Sequence, residues 1–134
     1  MSYWRSLCDS GDIRTLIDSF YEHLFSDEYL DRYRELINSM PCETTEEERT
    51  AFSALSSSII GFDLYDQLDK IKKPTLVIGS KNDKVFSGEE NCAVARKISC
   101  GVYMYEQYGH AVYDEAPDYR RRLMDFLKNG CSPQ

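Results

Sequence analysis

The fold is decided by residues 74–79, PTLVIG, a short apolar run that ends at a glycine and is followed by a polar segment. A second apolar run, VYMYE, occupies residues 102–106. The intervening sequence has a capping box at Ser87 and Glu90 and predicts a helix near 88–98. The pattern is that of a strand–helix–strand unit, with strands at about 74–79 and 102–107. Because such crossovers are right-handed, both parallel strands end at the same edge of the sheet.

Each predicted strand is followed by a side chain suited to acid–base chemistry: Asp83 follows the first strand and His110 follows the second. A carboxylate beside an imidazole orients the ring and stabilises its charged form, which prepares the ring to act as a general base. Each residue alone has a plain structural alternative, since Asn82 and Asp83 also favour a turn and one histidine is weak evidence. Together, at one edge of the sheet, they predict a catalytic pair.

The first half of the chain predicts helices only. Apolar residues recur at helical spacing in three successive stripes, the first of which begins at Ile13. Near residue 72 the pattern changes to strand, helix, strand, helix, and the last helix has an apolar stripe that includes Leu123 and Leu127. We therefore predict a helical region over residues 1–68, a βαβα region over 69–130 and a frayed tail over 131–134.

Composition places the chain among globular proteins. Its 134 residues are 42% hydrophobic, which is enough for a packed core, and its net charge is −7. That charge disfavours nucleic acid and anionic membranes as partners, because both require a basic surface. The apolar runs are shorter than the ~20 residues of a membrane-spanning helix, and the first residues lack a signal-peptide pattern. We expect a cytoplasmic protein that binds neither nucleic acid nor a membrane.

The sequence contains no motif for a metal or a cofactor. Five scattered cysteines without a C-x-x-C pair fit a reducing compartment rather than a disulfide framework or a zinc site. Neither a P-loop nor G-x-G-x-x-G occurs. We therefore expect no cofactor and no metal. His23, inside a predicted helix, is interpreted as an ordinary helix residue, and neither Ser56 nor Cys8 has the surroundings of a nucleophile.

These residues resemble the α/β-hydrolase family, and the resemblance covers the whole chain. Residues 72–128 are similar to the last two strands and helices of that fold, and residues 1–68 are similar to its helical cap. The segment YGHAVYDEAP, residues 108–117, is similar to the family's histidine loop. The resemblance implies an α/β protein: a partial α/β-hydrolase fold with a helical cap half followed by a small parallel βαβα unit.

The resemblance also implies roles for the pair. Asp83 corresponds to the acid of a catalytic triad, and His110 corresponds to its base. The parent enzyme would cleave a small acyl substrate, which is an ester, a thioester or an amide, through an activated serine. Aromatic cap residues such as Trp4, Phe20 and Tyr33 would line the pocket for that substrate.

Two departures from the family pattern qualify this interpretation. The common spacing G-x-x-D, counted from Gly79, falls on Asn82, so Asp83 lies one residue late. With Asn82 in the acid position, His110 would lack a charged partner. The G-x-S-x-G elbow that carries the family's nucleophile occurs nowhere in the sequence. We therefore predict the C-terminal part of a serine hydrolase that is inactive by itself.

Two alternatives remain open. The chain is either a hydrolase fragment or a non-catalytic binding or assembly module derived from such an enzyme; an independent enzyme of this length would need another nucleophile. The DNA upstream of Met1 discriminates between them, because it shows whether a G-x-S-x-G segment is encoded in frame.

We also predict a homo-oligomer. The strand at 74–79 would be paired on one side only, and a two-stranded sheet is too small to be stable alone. Antiparallel pairing of this edge across a two-fold axis is the simplest arrangement, and a dimer through the cap helices is the alternative.

Overall fold

The computed structural model describes residues 2–130 and divides them into a helical half and a strand-containing half. The first half consists of α1 (Ser2–Ser10), α2 (Ile13–Leu24), α3 (Asp27–Ser39) and α4 (Glu46–Ile59), followed by a 3₁₀ helix (Tyr65–Lys70). The second half consists of β1 (Leu76–Ser80), α5 (Gly88–Ile98), β2 (Gly101–Tyr105), α6 (Val112–Glu115) and α7 (Tyr119–Asn129). The predicted frayed tail, residues 131–134, lies outside the described residues.

Two capping boxes define where α4 and α5 begin. Thr45 and Glu48 bond reciprocally at the start of α4, and Ser87 and Glu90 do the same at the start of α5. Each box satisfies two backbone N–H groups that the first turn leaves without a partner. Because these signals are local, the helix predicted near 88–98 is found as Gly88–Ile98.

The two strands pair in parallel and, within residues 2–130, form a two-stranded sheet with α5 as the crossover. The strands predicted over 74–79 and 102–107 are displaced by one or two residues in the structure. Gly79 does not end β1, because the register continues until Ser80 lies opposite Tyr105. β1 therefore ends at Ser80, three residues before Asp83.

The apolar interior consists of two clusters. The cap cluster has Cys8, Ile13 and Leu16 at its centre, with Trp4, Phe20 and Phe52 among the residues packed around it. The second cluster has Tyr105, Val112 and Ala116 at its centre, with Ile78 and Tyr108 among its neighbours. The second cluster therefore supports both the end of β2 and the segment that carries His110.

Other apolar side chains remain exposed. Leu55 of α4 and Leu127 of α7 each keep 65% of their surface exposed, and Phe62 keeps 68%. The apolar faces that periodicity predicts on α4 and α7 are present, but the described residues leave them largely uncovered.

Candidate active site

Asp83 lies in a tight turn after β1, which we call the acid turn (residues 81–85). Its Oδ1 accepts hydrogen bonds from the backbone N–H groups of Val85, at 2.7 Å, and Phe86, at 2.8 Å. This is the local side-chain-to-backbone bonding that makes aspartate favourable in turns. Only 4% of the Asp83 side chain is exposed. The turn therefore fixes a buried carboxylate and leaves its second oxygen for another partner.

That second oxygen contacts His110. Asp83 Oδ2 lies 2.9 Å from His110 Nδ1. The predicted proximity of the two side chains is thus found in the structure, and Asp83 rather than Asn82 is the partner of the ring. Asp83 lies three residues after Ser80, the last residue of β1.

The histidine turn, residues 108–111, leaves the imidazole accessible on one side. The side chain of His110 is 31% exposed, and its Nε2 bonds to no residue among 2–130. With a hydrogen on Nδ1 donated to Asp83, Nε2 carries the lone pair and is able to accept a proton. The ring of Phe86 lies beside the imidazole, with 5.7 Å between ring centroids. An apolar side chain therefore lies beside the imidazole ring.

Ser80 connects the acid turn to the histidine turn. It is fully buried at the end of β1, and its hydroxyl donates a short hydrogen bond to the carbonyl oxygen of Tyr108. The backbone N–H of Asn82 in turn donates to Ser80 Oγ at 3.4 Å. The role of Ser80 was not predicted from the sequence. The available signal was a serine at the end of an apolar strand, immediately before a polar turn.

Glu115 is a second residue of the site that was not predicted from the sequence. Its carboxylate accepts from the backbone N–H of Gly109 at 2.9 Å and from that of Ser26 at 3.1 Å. It therefore joins the histidine turn to the segment between α2 and α3. The position of Glu115 within the family-like segment 108–117 was the only signal in the sequence.

The aromatic residues predicted to line a pocket have other contacts. Trp4 and Phe20 pack edge to face in the cap cluster, with 4.5 Å between centroids, and Trp4 Nε1 donates to Ser19 Oγ at 2.9 Å. Tyr33 packs against Tyr29, with centroids 4.5 Å apart. The first two side chains thus serve the packing of the cap.

His23 has structural contacts in the cap. Its Nδ1–H donates to the carbonyl oxygen of Ser19 at 2.7 Å, and its ring packs edge to face on Trp4. Both contacts belong to the interior of the cap, which agrees with the interpretation of His23 as an ordinary helix residue.

A separate polar cluster holds α7 against β2. Tyr105 Oη donates to Asp118 Oδ1 at 2.8 Å, and Arg122 Nε donates to Asp118 Oδ2 at 2.7 Å. The guanidinium of Arg122 lies 3.5 Å from the centroid of the Tyr103 ring. Burial, reinforced by the bond to Asp118, raises the pKa of Tyr105 to about 12. The same bond lowers the pKa of Asp118, because it stabilises the carboxylate.

Residues 2–130 contain neither a candidate membrane-spanning helix nor a candidate metal site. No helix there has the length and apolar character needed to cross a bilayer. Nor do three or more His, Cys, Asp or Glu side chains of that range come together as ligands for a metal ion.

No protein-family model matches the chain. Over 81 residues it is 35% identical to monoacylglycerol lipase ABHD6 of Homo sapiens, and the match covers 59% of this chain and 24% of the lipase. Two solved structures superimpose on nearly all of it. MGS-M2, an α/β hydrolase enzyme from a Medee basin deep-sea metagenome library, gives a TM-score of 0.80 at 18% identity over 99% of this chain and 50% of its own.

The second structure is the enol-lactonase from Burkholderia xenovorans LB400. It gives a TM-score of 0.78 at 18% identity, covering 96% of this chain and 50% of the lactonase. The chain therefore spans about half the length of these two structures, and the matched part is a smaller share of the lipase.

Proposed function

Because the chain is related to the α/β hydrolases and has part of their fold, we propose that it provides the acid and base of a serine-type carboxylic ester hydrolase. In this proposal the chain is the C-terminal part of such an enzyme, and the nucleophile belongs to a complementary segment. The substrate is a small acyl compound. Its ester class is favoured over thioester and amide because the named relatives include a lipase and a lactonase.

The observation that carries the proposal is the contact between Asp83 Oδ2 and His110 Nδ1 at 2.9 Å. Asp83 is buried and held by two backbone N–H groups, so it holds the imidazole in the tautomer with hydrogen on Nδ1. Nε2 then takes the proton from the attacking hydroxyl and afterwards delivers it to the leaving oxygen. Asp83 also stabilises the imidazolium that forms between these two steps.

Three described candidates do not fit the role of nucleophile: Ser80, Ser56 and Cys8. Ser80 donates its proton to Tyr108, and Ser56 is buried in α4 with no hydrogen-bond partner among residues 2–130. Cys8 is buried in the cap, where its Sγ lies 3.5 Å from the carbonyl oxygen of Arg49. A serine on a G-x-S-x-G elbow outside this sequence would complete the triad and bring an oxyanion hole with it.

The test begins with the isolated chain and p-nitrophenyl esters. We expect no hydrolysis above that of H110A, because a base without a nucleophile or an oxyanion hole stabilises little of the transition state. Turnover by the isolated chain that depends on His110 would contradict the fragment interpretation and require a nucleophile within the chain.

The second step adds the complementary segment. If the DNA upstream of Met1 encodes a G-x-S-x-G segment, the two polypeptides are produced together and assayed. We expect ester hydrolysis that D83N reduces by about 10⁴-fold in kcat, because asparagine leaves the imidazole in the wrong tautomer. N82A is the matched control and should retain activity, since the Asn82 side chain has no contact with the ring. Hydrolysis that is insensitive to D83N would refute the assigned role.

A second candidate function is that of a binding or assembly module without catalysis. The exposed apolar faces of α4 and α7 favour it, since contiguous apolar surface marks sites of association. A complex with the elbow-bearing segment that forms but hydrolyses no ester would support this alternative.

A further inference from the structure

We propose that Glu115 is a positioning residue that holds the histidine turn against the cap, so that the cap junction (residues 24–26) is part of the support of the base. The proposal rests on the proposed function, because the position of His110 matters for a reaction only if His110 acts as the base. It adds a residue and an element, the cap, to the group that determines where the imidazole lies.

Three donors from two distant segments converge on the Glu115 carboxylate. Oε1 accepts from the N–H of Gly109 at 2.9 Å and from the N–H of Ser26 at 3.1 Å, and Oε2 accepts a short hydrogen bond from Ser26 Oγ. Ser26 is 89 residues away in the chain. A carboxylate suits this position because it offers about four acceptor sites and no donor. Bonds to an ionised acceptor are also stronger than bonds between neutral groups.

The backbone on both sides of His110 contacts the same cap junction. The N–H of Ala111 donates to the carbonyl oxygen of Leu24 at 2.8 Å, and Ala111 is fully buried. At Gly109, an added Cβ would lie 2.7 Å from both Leu24 O and the carbonyl carbon of Phe25. The histidine turn therefore lies directly on the cap backbone, and Glu115 bonds the two segments at this contact.

The other end of the histidine turn is held by the core. Tyr108 accepts the hydrogen bond from buried Ser80, and Ser80 also bonds the acid turn. His110 is thus held from two sides: the core supports the turn through Ser80, and the cap supports it through Glu115. A shift of the cap junction would change the position of the imidazole relative to Asp83. The arrangement predicts that cap position and the Asp83–His110 contact are coupled.

The experiment follows the intact chain by NMR and compares E115A and E115Q with the control D114A. Asp114 is the neighbouring carboxylate on α6; it is exposed, and its side chain makes no hydrogen bond to this contact. Three amides report on the structure: Gly109 and Ser26 at the contact, and Ala95, which is buried in α5. The Nδ1–H proton of His110 reports directly on the bond to Asp83.

We expect E115A to accelerate amide exchange at Gly109 and Ser26 by about tenfold or more, because each amide loses a charged acceptor. The Nδ1–H signal of His110 should weaken and exchange faster, while Ala95 remains as protected as in the unmodified chain. E115Q keeps one carbonyl oxygen as acceptor, so its effects should be in the same direction but smaller. D114A should change none of the four signals.

Three results would overturn the proposal. In the first, Gly109 and Ser26 remain protected in E115A. In the second, both amides open while the Nδ1–H signal of His110 is unchanged, which would make Glu115 structural without effect on the base. In the third, Ala95 loses protection as much as Gly109 in both E115A and E115Q, which would show general destabilisation. None of these signals depends on ester hydrolysis, so failure of this proposal is distinguishable from failure of the proposed function.

Discussion

The sheet edge that carries Asp83 and His110 differs from the outer faces of α4 and α7. The polar groups at the edge are buried or hydrogen-bonded, whereas the apolar side chains on the outer faces are exposed. At the edge, both oxygens of Asp83 have partners, Ser80 is buried and bonded, and the backbone around His110 contacts the cap. On the outer faces, Leu55 and Leu127 are about two-thirds exposed, at 65% each. The edge therefore fixes an acid and a base in place, whereas residues 2–130 leave the outer faces uncovered.

In the structure the pair is positioned by hydrogen bonds within the acid turn and the histidine turn and, in our proposal, by the cap. Two strands suffice to bring an acid and a histidine to one edge, because parallel strands end on the same side. If this contrast holds, changes at the edge should destabilise the fold, and changes on the outer faces should weaken association.

The largest effect on stability is expected at the contact between the histidine turn and the cap. G109A places a Cβ 2.7 Å from two backbone atoms of the cap, which cannot move aside as a flexible side chain can. We expect the free energy of unfolding to fall by about 3 kcal/mol, as for severe overpacking. Urea unfolding followed by circular dichroism measures it, and the Nδ1–H signal of His110 should be lost.

The matched control for that prediction is G61A, in the segment after α4. Gly61 has φ +79° and no atom within 4 Å of an added Cβ, so only backbone strain opposes the substitution. That strain amounts to about 1 kcal/mol. If G109A were no more destabilising than G61A, the histidine turn would not be packed on the cap as described.

Much of the site was predictable from the sequence because its signals are short-range or topological. The capping box at Ser87 and Glu90 located α5, and the two apolar runs located the strands to within two residues. The proximity of Asp83 and His110 was expected from strand direction and from the family resemblance, although Asn82 was left open as an alternative for the acid position. The partial α/β-hydrolase fold was also predicted correctly, from the segments that resemble the histidine loop and the cap, and the chain is similar in sequence to one α/β hydrolase.

The remaining features depend on contacts that no local pattern contains. The bonds from Ser26 to Glu115 join residues 89 positions apart, and nothing in either neighbourhood indicates the other. Periodicity also identifies which face of a helix is apolar, but not what covers it. For that reason the stripes of α4 and α7 were located correctly, whereas the residues that would cover them were not identified.

The next prediction concerns self-association through the outer faces. We expect the chain to form a homo-oligomer, and L55E and L127E identify the surface. The two leucines are equally exposed, so neither change should destabilise the monomer. A leucine buried at the interface contributes up to about 2 kcal/mol, so its replacement should raise the dissociation constant roughly thirtyfold.

Sedimentation velocity over a range of concentrations measures this association. An effect of L55E alone would indicate a dimer through the cap helices, and an effect of L127E alone would indicate association through α7. If both variants associate like the unmodified chain, the open edge of β1 becomes the expected contact. A chain that sediments as a monomer at every concentration tested would refute the oligomer prediction.

The smallest effect is expected in the polar cluster that holds α7 against β2, where Y105F removes the bond to Asp118. Because its acceptor is a carboxylate, this bond contributes about 1.5 kcal/mol to the free energy of unfolding near neutral pH. The pKa of Tyr105 is raised from 10.0 to about 12. The stability linked to this tyrosine is therefore fully present below pH 10 and is lost as the pH rises toward 12. Urea unfolding at pH 7 to 11 should show that the difference in the free energy of unfolding between the unmodified chain and Y105F shrinks above pH 10.

Y113F is the control, because Tyr113 is exposed and outside this cluster, and it should leave the pH dependence unchanged. A difference that stays constant up to pH 11 would mean that Tyr105 ionises no differently in the folded and unfolded chains, and that the cluster holds α7 by packing alone.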